Sequence, residues 1–141
     1  MTYLTGMVVY DKQGNRQCEY CQEFKTKESF SKNKASEDSY RTQCKECDKE
    51  AKRLQYYGII ASAYKELWDS QNGCCAICEI PENESGKALA IDHDHECCSG
   101  RKSCGKCVRG LLCTKCNVLL GMSSDSPEIL QRATAYLLVH A

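Results

Sequence analysis

The spacing of apolar residues in the second half of the chain predicts two strands followed by a helix. Residues 88–91 form a short apolar run that leads into Asp92, and residues 108–112 fit a second strand. Residues 113–121 then fit a short helix. Asn117 lies four residues after Cys113, one helical turn on and near the same face. The segment between the two strands is therefore predicted to be a loop.

Two further helices are predicted from apolar side chains at three- and four-residue spacing. The first covers residues 62–71 with Ser62 as its cap, and we interpret its apolar face as core. That face consists of Tyr64, Leu67 and Trp68. The last helix begins at Ser126 and Pro127, a cap followed by proline at the first helical position. We expect its apolar stripe to pack on the same domain or on a second copy of the chain. The stripe consists of Ile129, Leu130, Ala133, Tyr136 and Leu137.

Cysteine usage is the strongest feature of the composition, with 13 cysteines among 141 residues. Such usage indicates either disulfides or bound metal. A two-residue spacing recurs in Cys18/Cys21, Cys44/Cys47, Cys75/Cys78, Cys104/Cys107 and Cys113/Cys116. This spacing suits a tetrahedral thiolate site, and a secreted disulfide framework has no reason to repeat it. Because the sequence shows no secretion leader and no membrane-spanning apolar run, we expect zinc, no membrane partner and a reducing cytoplasm.

A first domain is predicted for residues 1–57, where two cysteine pairs form one zinc site. Its ligands are Cys18, Cys21, Cys44 and Cys47. A segment this short has little apolar core, so the metal would supply the folding energy, on the order of 10–16 kcal/mol in small modules. Helix-forming residues follow Cys47 and stop at Gly58, which predicts a basic helix with a glycine cap. The second domain comprises residues 58–141.

A second zinc site is predicted in that domain. Its ligands are Cys75, Cys78, Cys113 and Cys116. Zinc held there would clamp the helix of residues 113–121 beside the strand that leads into Asp92, and the clamp would carry Asn117 towards Asp92. Four thiolates leave no open coordination position, so this zinc is predicted to be structural.

The residues around this clamp predict a second, catalytic ion. Asp92 and Asn117 offer a carboxylate and an amide oxygen, which are hard ligands suited to Mg²⁺. His93 can take a proton from an attacking water, and the metal would stabilise charge that grows on the phosphate. Adjacent strand residues point to opposite faces, so this arrangement requires a bend or loop at the strand end.

The predicted loop between the strands carries four more cysteines. These are Cys97, Cys98, Cys104 and Cys107. We favour a third zinc site over free thiols or a disulfide, although His95 is an alternative ligand. Cys74 is left over and is predicted to be a buried thiol. Zinc would stiffen a loop that carries Arg101, Lys102 and Lys106, in a segment without acids from residue 97 to 117. The formal net charge of zero decides nothing, and an ordinary solvated surface explains this basic segment equally well.

The segment from about Cys75 to Tyr136 resembles the recombination endonuclease VII family of tailed phages, within the His-Me finger (ββα-metal, HNH-like) nucleases. The resemblance is carried by Cys75-Ala-Ile-Cys78, Ile91-Asp92-His93-Asp94-His95, Val108-Arg109-Gly110-Leu111-Leu112-Cys113-Thr-Lys-Cys116-Asn117 and Gly121. It implies that Asp92 and Asn117 bind the divalent ion, Mg²⁺ or Mn²⁺, that His93 is the general base, and that His95 contacts the scissile phosphate. It also implies cleavage of branched or duplex DNA to 5′-phosphate and 3′-hydroxyl ends, a homodimer, and the host cytoplasm as the compartment.

Two features depart from the family's branched-DNA resolvase. Leu120 stands where that enzyme has a carboxylate, three residues after the asparagine, and the helical dimerisation segment is reduced. Both departures weaken the transfer of junction specificity and of the dimeric state, and they leave the hydrolytic core untouched. Two other functions stay open: a non-catalytic zinc module that binds DNA or protein, and a homing or packaging type of nicking endonuclease. The fold we expect is a small, zinc-stabilised α+β protein with a ββα-metal core, an N-terminal four-cysteine unit and a C-terminal helix.

Overall fold

The computed structural model describes residues 8–141, and the chain forms two compact units. One unit ends at Arg53 and the other covers Leu54–Ala141. The first seven residues, which belong to the predicted N-terminal domain, lie outside the described residues. The division falls inside a helix, before the predicted boundary between residues 57 and 58.

The first unit is built from two antiparallel strand pairs. The first pair is β1 (Arg16–Gln17) with β2 (Phe24–Lys25), and the second is β3 (Phe30–Lys32) with β4 (Tyr40–Cys44). A 3₁₀ turn (Lys27–Ser29) connects the pairs, and helix α1 (Lys45–Tyr57) follows β4 directly. The predicted helix end is confirmed, because Gly58 adopts φ +66° and its N–H donates to the Leu54 carbonyl at 3.0 Å.

The core of the first unit is small, and most of its buried side chains are cysteines. Its buried members are Cys18, Phe30, Cys44 and Cys47. Arg16 is also buried, where its Nε donates to Asp38 at 2.6 Å and its guanidinium lies over the Phe30 ring at 5.0 Å. With so few apolar side chains in contact, the cysteines themselves form the centre of this unit.

The second unit contains two strands flanked by three helices in the order α2, β5, β6, α3 and α4. Their bounds are α2 (Ala61–Ser70), β5 (Ala90–His93), β6 (Val108–Leu112), α3 (Thr114–Met122) and α4 (Pro127–Val139). Strand β6 has its predicted bounds, whereas β5 begins at residue 90 rather than 88 and includes Asp92 and His93. The strands pair antiparallel, and α3 packs against both of them. The predicted α+β class with a ββα core is thus confirmed.

Helix α2 docks on β6 through a side chain that the sequence did not single out. Gln71 donates to the Leu111 carbonyl at 2.8 Å and accepts from the Leu111 N–H at 2.8 Å. These two hydrogen bonds pair the N–H and the carbonyl of Leu111, which is fully buried. Left unpaired, buried backbone groups would cost free energy. The prediction of Ser62 as helix cap is wrong: the cap position is Ile60, which has no side-chain acceptor, and Ser62 lies inside the helix.

The predicted apolar faces differ in how far they are covered. Tyr64 and Leu67 pack against the core as predicted, whereas Trp68 is partly exposed and covers Gly73 instead. On α4 the Ser126 cap is confirmed, since its side chain accepts from the Ile129 N–H. Most of the α4 stripe is exposed, so the described residues of this chain do not cover it, and packing on a second copy stays a prediction. Within residues 8–141, none of the helices combines the length and apolar character needed to cross a bilayer.

Candidate active site and zinc clusters

Three four-cysteine clusters form, with the membership that the sequence predicted. We call them the N-terminal cluster (Cys18, Cys21, Cys44, Cys47), the core cluster (Cys75, Cys78, Cys113, Cys116) and the loop cluster (Cys97, Cys98, Cys104, Cys107). In each, the four Sγ atoms lie within 4.8 Å of one another. Thiolates at about 2.3 Å from a tetrahedral zinc would be about 3.8 Å apart. The Sγ–Sγ separations are 3.8 Å for Cys18–Cys47 and 3.7 Å for Cys78–Cys113, so the donors fit zinc.

Backbone N–H groups prepare one thiol of each cluster for metal binding. Burial raises the pKa of Cys18, but N–H groups of Cys44, Cys21 and Tyr20 outweigh it and lower the pKa to about 6. Cys75 follows the same pattern, with its pKa also lowered to about 6. In the loop cluster, chiefly the Lys106 N–H lowers the pKa of Cys104 to about 6. The thiolate, the form that binds metal, is thus favoured in every cluster.

The pairing of β5 with β6 is irregular at Asp92 and His93. Asp92 pairs with Gly110 but His93 pairs with Val108, so Arg109 is an extra residue on β6 and the register shifts between the two pairs. Such a bulge bends the strand, increases its twist and changes where neighbouring side chains point. Bulges are common beside active sites for this reason.

Asp92 is buried and carries an ion pair. Arg109 donates to both of its carboxylate oxygens, from Nε at 2.7 Å and from Nη2 at 3.1 Å. The carboxylate raises the pKa of Arg109, chiefly through these hydrogen bonds. Asp92 also lines an open cavity of about 250 Å³, with Gly110, Leu112 and Leu120 among its neighbours. The carboxylate therefore borders a space that a small ligand can enter.

His93 and His95 lie side by side, with ring centroids 4.6 Å apart. His93 is buried, and its Nε2 lies 3.2 Å from the Cys98 carbonyl oxygen. The Tyr57 ring meets His93 edge-on at 6.4 Å. His95 is half exposed and its Nδ1 lies 2.9 Å from Oδ2 of Asp125, so it is not a ligand of the loop cluster.

Asp125 is the site residue that sequence reasoning missed. It lies in the turn after α3 with φ +55°, and its Oδ1 is 3.3 Å from Nη2 of Arg109, an ion-pair distance without hydrogen-bond geometry. The hydrogen bond from His95 is the main cause that lowers its pKa. Asp125 thereby connects His95 to the Arg109–Asp92 pair. A polar turn of serines and aspartate gave no signal of this, because the contact is made by the tertiary fold.

Asn117 lies in the first turn of α3, where its N–H donates to the Cys113 carbonyl at 3.0 Å. It is half buried and directly follows Cys116 of the core cluster. Asn117 is not among the residues that line the cavity beside Asp92, whereas Leu120 from the same helix is. Cys74 is half buried rather than buried as predicted, and its thiol donates to the Asn72 carbonyl.

Strand β5 ends with Asp92 and His93, and α3, which carries Asn117 and Cys116 of the core cluster, packs against both strands. Two antiparallel strands followed by such a helix form the ββα arrangement of a ββα-metal nuclease fold. The family model of recombination endonuclease VII matches residues 50–139, which is well over half of the chain. The chain belongs to the recombination endonuclease VII family.

Relatives of this chain occur in mycobacteriophages. It is 44% identical over 89 residues to the gene 59 protein of Mycobacterium phage D29, covering 62% of this chain and 48% of that protein. It is 41% identical over 90 residues to the gene 59 protein of Mycobacterium phage L5, covering 63% and 49%. The chain thus spans about half the length of the curated relatives it matches.

Among solved structures, the chain is similar to the β-β-α-Me type II restriction endonuclease Hpy99I at 23% identity and a TM-score of 0.33. The alignment covers 100% of this chain and 72% of that enzyme. Neither the target nor the mechanism of that enzyme transfers to this chain at such similarity.

Proposed function

We propose that this protein is a divalent-metal-dependent DNA endonuclease that hydrolyses phosphodiester bonds and leaves 5′-phosphate and 3′-hydroxyl ends. The observation that carries the proposal is the hydrogen bond of His93 to a backbone carbonyl at the end of β5. Family membership supports the reaction class. The residues proposed for the site are Asp92, His93, His95 and Asn117.

The hydrogen bond assigns the protons of His93. A carbonyl oxygen only accepts, so Nε2 of His93 is the protonated nitrogen that donates to Cys98 at 3.2 Å. In the neutral ring, Nδ1 then keeps the lone pair and is the atom that removes a proton from an attacking water. The imidazole is held in one orientation by this bond and by contacts with His95 and Tyr57.

Asp92 and Asn117 are the residues that would hold the catalytic ion. The Asp92 carboxylate borders the cavity, and a carboxylate with an amide oxygen is the hard donor set that suits Mg²⁺ or Mn²⁺. A bound divalent ion supplies Lewis acidity to the phosphate and the leaving oxygen. Arg109 orients the Asp92 carboxylate by two hydrogen bonds.

DNA would approach over the loop between β5 and β6. Arg101, Lys102 and Lys106 are exposed there, and Lys102 Nζ lies 5.8 Å from the Tyr56 ring centre. Cations on such a loop contact phosphates and set the position of the duplex. His95, in the same loop, is exposed and would contact the scissile phosphate. The phage relatives support DNA in the host cytoplasm as the target.

The zinc clusters are proposed to be structural, and the domain division at residue 57 remains a prediction. A homodimer also remains a prediction, with the exposed α4 stripe as its proposed surface. Sedimentation of the zinc-loaded protein would test it.

The test is cleavage, with added Mg²⁺, of three DNAs: a four-way junction, a linear duplex and a supercoiled plasmid. End labelling of the products identifies the terminal groups. Selective junction cleavage would indicate a resolvase despite Leu120, and plasmid nicking without junction preference would indicate a homing or packaging role. If folded, zinc-loaded protein cuts none of them with Mg²⁺ or Mn²⁺, the non-catalytic zinc module becomes the better account.

A further inference from the structure

The loop cluster has the geometry of a metal site although it lies at the surface. Its Sγ separations are 3.9 Å for Cys97–Cys104, 4.0 Å for Cys97–Cys98 and 3.7 Å for Cys104–Cys107. These agree with the separation of about 3.8 Å expected around tetrahedral zinc. The hydroxyl of Ser103 lies 3.3 Å from Sγ of Cys107 and accepts from the Gly105 N–H at 3.0 Å. Such outer hydrogen bonds orient metal ligands.

One ligand of this cluster also holds the proposed general base. The thiol of Cys98 belongs to the cluster, and its carbonyl oxygen accepts from Nε2 of His93 at 3.2 Å. The Cys98 N–H donates to the Asp94 carbonyl at 3.0 Å, and the Asp94 N–H donates to the Cys107 carbonyl at 2.9 Å. Asp94, the residue after His93, is thus hydrogen-bonded to one cysteine from each half of the cluster.

The cluster is also joined to the end of α1. The Ser103 N–H donates to the Tyr56 carbonyl at 2.8 Å, and Gly105 packs on Gly58 so closely that a Cβ at Gly58 would lie 2.9 Å from the Cys104 carbonyl carbon. The neighbouring Tyr57 ring contacts His93. The loop and the helix end therefore meet around the same imidazole.

The segment between the two halves of the cluster is not held by burial. Residues 99–102, between the two halves of the cluster, are all exposed. An exposed segment gains little from burial to offset the entropy of ordering its backbone, about 1–2 kcal/mol per residue. Metal–thiolate bonds can supply that free energy.

We propose that Cys97, Cys98, Cys104 and Cys107 bind a zinc ion that positions His93 through the carbonyl of Cys98. The proposal rests on the function proposed above for His93 and adds a positioning role for a site outside the hydrophobic core. Without zinc, the Cys98 carbonyl is no longer fixed, and the His93 ring loses both its orientation and its single tautomer. The core and N-terminal clusters keep their own metal.

The test uses the full chain with Cys104→Ser, which removes one ligand and leaves the Cys98 carbonyl in place. Native mass spectrometry counts zinc, circular dichroism reports the fold, and ¹⁵N NMR of the imidazoles reports the His93 tautomer. We expect one zinc fewer than in the unsubstituted protein, a retained fold, loss of the single Nε2–H tautomer, and cleavage lowered by about 10- to 100-fold. Cys104→His, which restores a zinc ligand, should recover all three properties.

Cys74→Ser is the matched control, because Cys74 belongs to none of the three clusters. It should leave zinc content, tautomer and cleavage unchanged. If Cys104→Ser fails to fold, Cys97→Ser removes a different exposed ligand of the same cluster. Failure of both variants to fold would overturn the proposal, because the loop zinc would then be needed for folding. Two zinc ions in the unsubstituted protein, or an unchanged tautomer after loss of the third, would also overturn it. A protein that cuts no DNA but shows the expected zinc and tautomer changes would refute the nuclease and leave the positioning site standing.

Discussion

The core cluster and the loop cluster each bring four cysteine thiols together at similar separations, but one is largely buried and the other lies at the surface. Cys75, Cys113 and Cys116 are buried, and they pack with Leu89, Leu111 and Leu112 in one apolar cluster. Cys97 and Cys104 are exposed, and no apolar cluster of the described residues includes any member of the loop cluster. We propose that zinc has a different role at each cluster. In the core it would stabilise a unit with few apolar side chains, and in the loop it would fix a backbone carbonyl beside His93.

The largest effect should come from the core cluster. Cys113→Ser removes a buried ligand at the start of α3, and structural zinc contributes on the order of 10 kcal/mol, comparable to the whole stability of a small domain. We expect the second unit to unfold, measured as loss of helical circular dichroism signal. Cys104→Ser should retain that signal. A native spectrum for Cys113→Ser would remove the distinction between the clusters.

Chelation should separate the clusters in time. The loop cluster is exposed, so a zinc chelator should remove its ion first and leave the circular dichroism spectrum unchanged. The other two ions should leave more slowly and together with the helical signal. A colorimetric metal indicator and circular dichroism, recorded in parallel, measure both phases. Release of all zinc in a single phase, together with unfolding, would contradict the difference between the clusters.

Removal of Mg²⁺ alone should stop cleavage and leave the circular dichroism spectrum unchanged.

A pair of glycines sharpens the argument for the loop. Gly58 and Gly86 both have positive φ, but an added Cβ meets the Cys104 backbone only at Gly58 and nothing within 4 Å at Gly86. Gly86→Ala should cost about 1–2 kcal/mol for the left-handed conformation, and Gly58→Ala about 2–4 kcal/mol because overpacking is added. Denaturant unfolding measures both. Cleavage and the third zinc should be impaired by Gly58→Ala alone, and equal impairment by both variants would argue against docking of the loop on α1.

The smallest effect should come from Asp125, which contacts His95. Asp125→Asn keeps a residue that tolerates φ +55° and removes the charge that faces His95 and Arg109. One charge-assisted hydrogen bond of about 1.5 kcal/mol corresponds to roughly a tenfold loss of cleavage. Zinc content should not change. Asp69→Asn, at an exposed position of α2, is the control. Equal rates for the two variants would show that Asp125 has no part in the site.

The sequence predicted the parts of this molecule that depend on local spacing. Strand β6, the end of α1 at Gly58 and the Ser126 cap follow from residue types and periodicity, and the cysteine pairs from zinc chemistry. The membership of all three clusters was correct because two-residue spacing limits how thiolates can combine. The requirement for a bend at Asp92 comes from strand alternation and stays a prediction, and the register of β5 with β6 shifts between Asp92 and His93.

The remaining features depend on distant contacts that spacing does not encode. Arg109 was seen only as part of a basic segment, because its pairing with Asp92 arises from the strand register. Asp125 and Gln71 reach the site and the strand across the fold, from a turn and a helix end. The prediction of Ser62 as a cap failed because capping depends on where the chain enters the helix, and the cap position, Ile60, lies two residues before Ser62.

The central claim is that His93 is the base of a metal-dependent nuclease. The most direct test is Mg²⁺-dependent nicking of supercoiled plasmid by the unsubstituted protein, His93→Ala and His140→Ala, each with its zinc content measured. His140 lies at the end of α4 beside Tyr136, outside the site, and serves as the matched control. The account predicts a loss on the order of 10²–10⁴-fold for His93→Ala with zinc unchanged, and full activity for His140→Ala. Equal nicking by all three proteins would contradict it, and loss of zinc in His93→Ala would identify His93 as a metal ligand instead.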